Sequence, residues 1–179
     1  MGSITGPCCK SGQNQIDSQV RPSPGEPLRD GWAFLWIEGG SPCSSSVLPR
    51  RATEGSAGYD LSADLSQPEV IQPGESKLLP TGIGVALPPQ TAGLVFGRSG
   101  LGARHGIVPA NAVGVIDWDY RGEIKVPLRN QGSEPYTVQP GERIAQMLVV
   151  PVLTPELTLT DDLGSSERGE KGFGSSGRN

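Results

Sequence analysis

The sequence predicts an all-β chain, folded as a β-barrel or jelly roll, and three observations carry that prediction. Glycine and proline are abundant, 26 and 17 of 179 residues, which favours many short strands joined by turns. From Leu48 to Leu153 the apolar residues fall in short Val/Ile/Leu runs of strand length, without a helical period. Turn signals interrupt those runs at Gln72-Pro73-Gly74-Glu75, Leu87-Pro88-Pro89-Gln90 and Gln139-Pro140-Gly141-Glu142, a spacing that suits a barrel or jelly roll. A chain of this length supports one domain with a proper core and is too short for two comfortable ones.

Taken in order, residues 1–30 are Gly/Ser/Pro/Gln-rich without periodicity and are expected to form a disordered extension. Trp32-Ala33-Phe34-Leu35-Trp36-Ile37 reads as a first buried strand and opens a β core spanning 31–155. Within that core the best case for helix is a single turn near Leu101 to His105. The recurring Pro-Gly-Glu is read as shared turn chemistry rather than duplication. Residues 156–179 form a polar tail, expected to be a flexible arm. Its stretch Arg168-Gly169-Glu170-Lys171-Gly172-Phe173-Gly174 sets an arginine and a phenylalanine among glycines, a combination suited to closing over an anion and a flat ring.

Charge and cysteine content narrow the function classes. A net charge of −4 gives no global bias toward nucleic acid, so any nucleotide site must draw its cations from a few placed arginines. Cys8, Cys9 and Cys43 cannot all pair and form no CxxC, which argues against a disulfide framework or zinc site and fits the reducing cytoplasm. The longest apolar run, Trp32 to Ile37, falls far short of a membrane span, and the N-terminus lacks the apolar core of a secretory signal. Gly6 stands where a myristoylation start expects Ser or Thr.

Two segments carry candidate chemistry. Gly97-Arg98-Ser99-Gly100-Leu101-Gly102 can cradle an anion through backbone N–H groups, a hydroxyl and an arginine fork; a plain Gly-rich turn reads equally well. Gly114-Val115-Ile116-Asp117-Trp118-Asp119-Tyr120-Arg121-Gly122 places two carboxylates, two aromatics and an arginine at the end of an apolar run. In isolation it also reads as a hairpin whose aspartates cap the turn.

Together with three further segments, these two resemble the trimeric dUTPase family in order and spacing. The five motifs are Ala57-Gly58-Tyr59-Asp60-Leu61; Arg98-Ser99-Gly100-Leu101; the Gly114–Gly122 segment; Gly141-Glu142-Arg143-Ile144-Ala145-Gln146; and Arg168-Gly169 with Gly172-Phe173-Gly174-Ser175-Ser176-Gly177. Stretches between them, such as Pro80-Thr81-Gly82-Ile83, also match. The resemblance covers roughly residues 31–179 and is closest to the bacterial type from Leu94 to Val152. It implies a distorted jelly-roll subunit, a homotrimer and a C-terminal arm. It also implies hydrolysis of dUTP to dUMP and pyrophosphate, which limits uracil in DNA and supplies dUMP for dTMP synthesis. Mg²⁺ is expected to be bound mainly by triphosphate oxygens and water. In such a family each active site is shared: the second and fourth motifs come from one subunit, the third from a neighbour and the fifth from the remaining one.

Roles carried over from the resemblance are specific. Asp117 matches the water-activating general base, and Asp60 the carboxylate that holds the metal's water shell. Asn111 and the backbone around Gly114 fall where uracil is gripped, on what would be a hairpin edge. Tyr120 would lie beneath the deoxyribose and leave no room for a 2′-hydroxyl. Arg98, Ser99, Gly100 and Gln146 match phosphate-binding positions. Arg168 would clamp the γ-phosphate, and Phe173 with Gly174 would close over uracil. Arg143 reads either as a structural ion pair within the trimer or as a ligand contact, and His105, the only histidine, as structural.

Three positions depart from the family's usual wording. Gly97 replaces a proline, which can loosen the second-motif turn; Lys171 replaces a glycine; Trp118 stands where smaller residues are common. Two alternatives accompany the dUTPase reading. One is a dCTP deaminase-like enzyme of the same fold. The other is a non-catalytic dUTPase-fold binding protein, which would be expected to lack Asp117, Tyr120 or Arg168. No contact with nucleic acid or membrane is expected.

Overall fold

Turn chemistry organises the chain at two corresponding places. At residues 72–75 the Glu75 N–H donates to the Gln72 carbonyl at 2.9 Å, and the Gln72 N–H donates to the Glu75 carboxylate at 2.7 Å. The same pair recurs at residues 139–142, at 3.1 and 2.8 Å. Proline supplies the second position of each turn, and Gly74 and Gly141 supply the left-handed third, at φ of 77° and 75°. The shared wording is therefore shared turn geometry.

The computed structural model describes residues 33–36 and 48–166. Expectations for residues 1–30, for Cys8, Cys9 and Cys43, and for Arg168, Lys171, Phe173 and Gly174 lie outside the described residues. Within them the strands are β1 (Ala33–Trp36), β2 (Tyr59–Ser62), β3 (Glu69–Ile71), β4 (Ser76–Pro80), β5 (Ile83–Ala86) and β6 (Thr91–Gly97). After helix α1 (Ser99–His105) come β7 (Ile107–Pro109), β8 (Gly114–Asp117), β9 (Lys125–Asn130), β10 (Tyr136–Val138) and β11 (Arg143–Pro151). The expected first strand is β1, which pairs antiparallel with β5, and the expected helical turn is α1.

The strands form short antiparallel sheets, ordered β2-β11-β6-β8, β4-β9-β7, β1-β5 and β10-β3, in the manner of a distorted jelly roll. Their inward faces build one core from Leu61, Ile71, Ile83, Ile107, Ile124, Leu128, Ile144 and Met147, all buried. In β9 the alternation of Val126, Leu128 and Asn130 inward is the period-2 pattern of a half-buried strand. In β11 the register against β2 slips between Arg143 and Ala145, a bulge that buries the adjacent residues Ile144 and Ala145 together.

Asn130 is wholly buried, and the fold satisfies it. Its amide donates to the Ile71 and Glu134 carbonyls at 2.9 and 2.8 Å, while its side-chain oxygen accepts the Gly132 N–H at 2.8 Å. Beyond β11 no strand forms through residue 166, and Leu153, Leu157, Leu159 and Leu163 are each at least 95% exposed.

Candidate active site

Strand order brings the first, second and fourth motifs together. Because β11 lies between β2 and β6, Gln146 is flanked by Asp60 on one side and Phe96 on the other, and Arg98 follows directly on the end of β6. Asp60 receives both arginines there, with Arg98 Nε 3.3 Å from one carboxylate oxygen and Arg143 Nη1 2.9 Å from the other. Arg98 Nη1 also donates to the Arg143 carbonyl at 3.1 Å, and Gln146 Nε2 to the Gly97 carbonyl at 3.1 Å. Ion pairs this exposed contribute about 1 kcal/mol or less, so their consequence is placement more than stability. One guanidinium N–H of Arg98 is committed to that carbonyl and its Nε faces Asp60, which leaves the other donors for an anion.

These residues border a cavity of about 470 Å³ whose wall also includes Ser99, Gly100, Arg104 and His105. Three arginines face it against one carboxylate, Asp60, so its charge favours an anion. His105 lies against Tyr136, ring centroids 4.9 Å apart, and the Tyr136 hydroxyl donates to Glu142 at 2.5 Å. Gly97 is held rather than loosened: it pairs with Ala145, and an added Cβ would sit 2.8 Å from Pro109 Cδ.

The third motif lies elsewhere. β8 pairs with β6 so that Gly114 faces Val95 and Asp117 faces Ala92. A turn follows, closed by the Tyr120 N–H on the Asp117 carbonyl at 3.1 Å. Arg121 Nη1 caps it by donating to the Trp118 and Tyr120 carbonyls at 2.8 and 2.9 Å. The Tyr120 ring folds over Gly122, where a Cβ would lie 2.3 Å from the phenol oxygen, and its hydroxyl donates to the Glu123 carbonyl at 3.1 Å. Asp117 is exposed and makes no side-chain ion pair or hydrogen bond among the described residues. Trp118 is exposed as well, and nothing in the structure explains the choice of tryptophan.

The hairpin expected around Asn111 and Gly114 is a corner between sheets. β7 pairs with β9, and β8 with β6, while Asn111–Val113 turn between them with Ala112 left-handed at φ 62° and the Val113 N–H on the Asn111 carbonyl at 2.7 Å. Nor do β8 and β9 form a hairpin, since β9 pairs with β4 and β7.

Register measures how far apart the two clusters stand. Asp117 is opposite Ala92, and Arg98 lies six positions farther along the chain from Ala92. At the rise of an extended strand that is ~20 Å. Asp60, Arg98, Ser99, Gly100 and Gln146 thus share one cavity, whereas Asp117 and Tyr120 line a separate one, and Asn111 and Gly114 line neither, Gly114 facing Val95 three positions before Arg98. Sequence reasoning did not single out Arg104 as a cavity residue or Glu123 as an anchor of the loop. The signal for Glu123 was its place immediately after the third motif. Among the described residues no three of His, Cys, Asp and Glu converge as a metal site. A divalent ion here would therefore need most of its oxygens from phosphate and water, and the single carboxylate Asp60 fits that arrangement.

A family model described as dUTPase matches residues 44–177. The chain is 51% identical over 135 residues to the deoxyuridine 5′-triphosphate nucleotidohydrolase of Alcanivorax borkumensis, covering 75% of this chain and 90% of that protein. A mutant dUTPase of Staphylococcus bacteriophage 80alpha, solved with dUpNHpp, superimposes with a TM-score of 0.73 at 27% identity over 83% of this chain and 99% of that one. The fold is also that of a dUTPase from phage phi11 of S. aureus, described with a coordinated structural Mg(II) ion, at a TM-score of 0.63 and 23% identity over 75% of this chain and 99% of that one.

Proposed function

The chain belongs to the dUTPase family and hydrolyses dUTP to dUMP and pyrophosphate, and we propose that it does so with Asp117 as general base in sites shared between the subunits of a homotrimer. Family membership decides against the dCTP deaminase branch. The observation that carries the shared-site reading is the ~20 Å along β6 between Asp117 and Arg98, which keeps the candidate base from the phosphate cavity of its own subunit.

In this reading the triphosphate enters the Arg98 cavity of one subunit, where Ser99, Gly100 and Gln146 add polar contacts. The Asn111–Gly114 corner of a neighbour grips uracil. Uracil presents an O4 acceptor and an N3–H donor where cytosine presents the reverse, so the wrong base leaves buried groups unpaired. Tyr120 closes the space a 2′-hydroxyl would need. Asp117, free of other partners among the described residues, takes a proton from water as the water oxygen bonds to the α-phosphorus and the bond to the bridging oxygen of pyrophosphate breaks. Asp60 would hold the water shell of a Mg²⁺ ion carried on the triphosphate, which when bound would supply positive charge to offset that of the leaving pyrophosphate. Arg168, Phe173 and Gly174 complete the site from the C-terminal arm, Arg168 on the γ-phosphate and Phe173 on uracil.

No helix among the described residues is long and apolar enough to cross a membrane, and the proposed location is the cytoplasm. The test is pyrophosphate release with Mg²⁺ from dUTP, dCTP, dTTP and UTP at equal concentration. A preference for dUTP over dCTP of ~10⁴ is expected; a folded trimer that turns over none of them overturns the reading.

A further inference from the structure

Pro80-Thr81-Gly82-Ile83 belongs to none of the five motifs, yet it is stitched to the residues that follow Tyr120. Thr81 is buried, and its hydroxyl works twice, donating to the Ile124 carbonyl at 2.6 Å and accepting the Ile83 N–H at 3.3 Å. The Ile124 N–H donates to the Ile83 carbonyl at 2.8 Å. One residue earlier, the Glu123 carboxylate accepts the Gly82 N–H at 2.9 Å on one oxygen, while Lys125 Nζ lies 3.5 Å from the other. The carbonyl of that same Glu123 receives the Tyr120 hydroxyl.

The geometry points to Glu123 as a positioning residue for sugar selection: its carboxylate, held by Gly82 and Lys125, fixes the carbonyl that fixes Tyr120. The inference rests on Tyr120 as the ribose gate. That ring is 43% exposed, so packing alone does not hold it, and its ties are the bond to Glu123 and its seat on Gly122. Excluding one hydroxyl demands that the ring stay within about 0.5 Å of its place, which an untethered surface side chain does not do. Glu123 is not itself a base candidate, because both of its carboxylate oxygens are engaged away from the reacting centre. Loss of the tether should therefore appear in discrimination between sugars.

The experiment compares kcat/KM for UTP relative to dUTP in the full-length protein and in variants. Glu123→Ala should raise the ratio about tenfold, the scale of one lost hydrogen bond, and Tyr120→Phe by a similar factor. The double variant should do no more than either alone, since both cut one chain of contacts. Glu123→Gln keeps an oxygen for the Gly82 N–H and should retain most of the wild-type ratio. If Glu123→Ala fails to fold, Glu123→Asp withdraws the carboxylate by one methylene and is read the same way. An unchanged ratio in the Glu123 variant beside a changed one in Tyr120→Ala overturns this inference alone, as does a double variant whose effects multiply. An unchanged ratio in Tyr120→Ala overturns the gate reading and this inference with it.

Discussion

The cavity around Asp60 and the loop that carries Asp117 hold their functional groups by different means. In the cavity, side chains hold one another across three strands: Arg98 and Arg143 share Asp60, and Gln146 reaches the Gly97 carbonyl. On the loop the ties end on backbone carbonyls, through the Asp117–Tyr120 turn and the Arg121 side chain that caps it, and the Asp117 carboxylate stays free among the described residues. The contrast fits what each half does in the proposed reaction. An anion-binding half can be assembled in advance, because its ligand supplies further partners for the same donors. A proton-accepting half must keep its carboxylate uncommitted, so its order has to come from main-chain ties and from whatever packs against it. Exposed apolar side chains flank the loop: Leu78 and Val115 are 61% and 62% exposed around Asp117. Such a face is suited to burial against another copy, in keeping with the proposed trimer.

The largest effect should come from breaking the loop half alone. Asp117→Asn removes the proposed proton acceptor but leaves the cavity untouched, so kcat should fall by about 10²–10⁴-fold while a non-hydrolysable dUTP analogue still binds. Calorimetric titration beside turnover separates the two; retained turnover would remove Asp117 as the base.

Mixing the two defects sharpens the comparison further. In the proposed homotrimer, Arg98→Ala and Asp117→Asn proteins should each be nearly inactive. Refolded together at equal ratio, they should regain about one quarter of wild-type sites, half for an intact Arg98 donor times half for an intact Asp117 neighbour. A site built within one subunit would regain nothing, because each chain would keep its own defect.

Candidate residues could be named from the sequence because the chemistry proposed for them demands particular types. An anion calls for groups such as Arg98 and Gln146, a turn for Pro-Gly, and the two Pro-Gly-Glu turns close by bonds between neighbours in sequence. Which residues meet was not legible, because that depends on strand register. Nothing local shows that Ala92 lies opposite Asp117. Apolar runs at 107–109 and 113–116, close in sequence, imitate a hairpin, and only pairing with β9 and β6 separates them. Asn130 and Thr81 read as ordinary polar residues until partners 59 and 43 positions away satisfy them. Arg143, left between an ion pair and a ligand contact, forms its pair with Asp60 of its own chain at the cavity.

The smallest effect concerns the cavity's outer support. Burial, followed by the hydrogen bond to Glu142, pushes the Tyr136 phenol up to about 12 from the usual 10.0. A folded-state value above the unfolded one means that the neutral phenol is favoured in the fold. Its contribution to stability is therefore complete below pH 10 and is lost as pH rises toward 12. Tyr136→Phe should cost ~1 kcal/mol at neutral pH, because one oxygen of Glu142 still accepts the Gln139 N–H and only the other loses its donor. Its denaturation midpoint should also fall less steeply than wild type between pH 10 and 12. Phenylalanine keeps a ring under His105, so the cavity wall should survive and KM for dUTP should barely move. Urea titrations at fixed protein concentration, needed because assembly of the proposed trimer would couple to folding, measure both slopes. Equal slopes would show that the phenol is not held above its ordinary value in solution; a large rise in KM would make Tyr136 part of the cavity itself rather than its support.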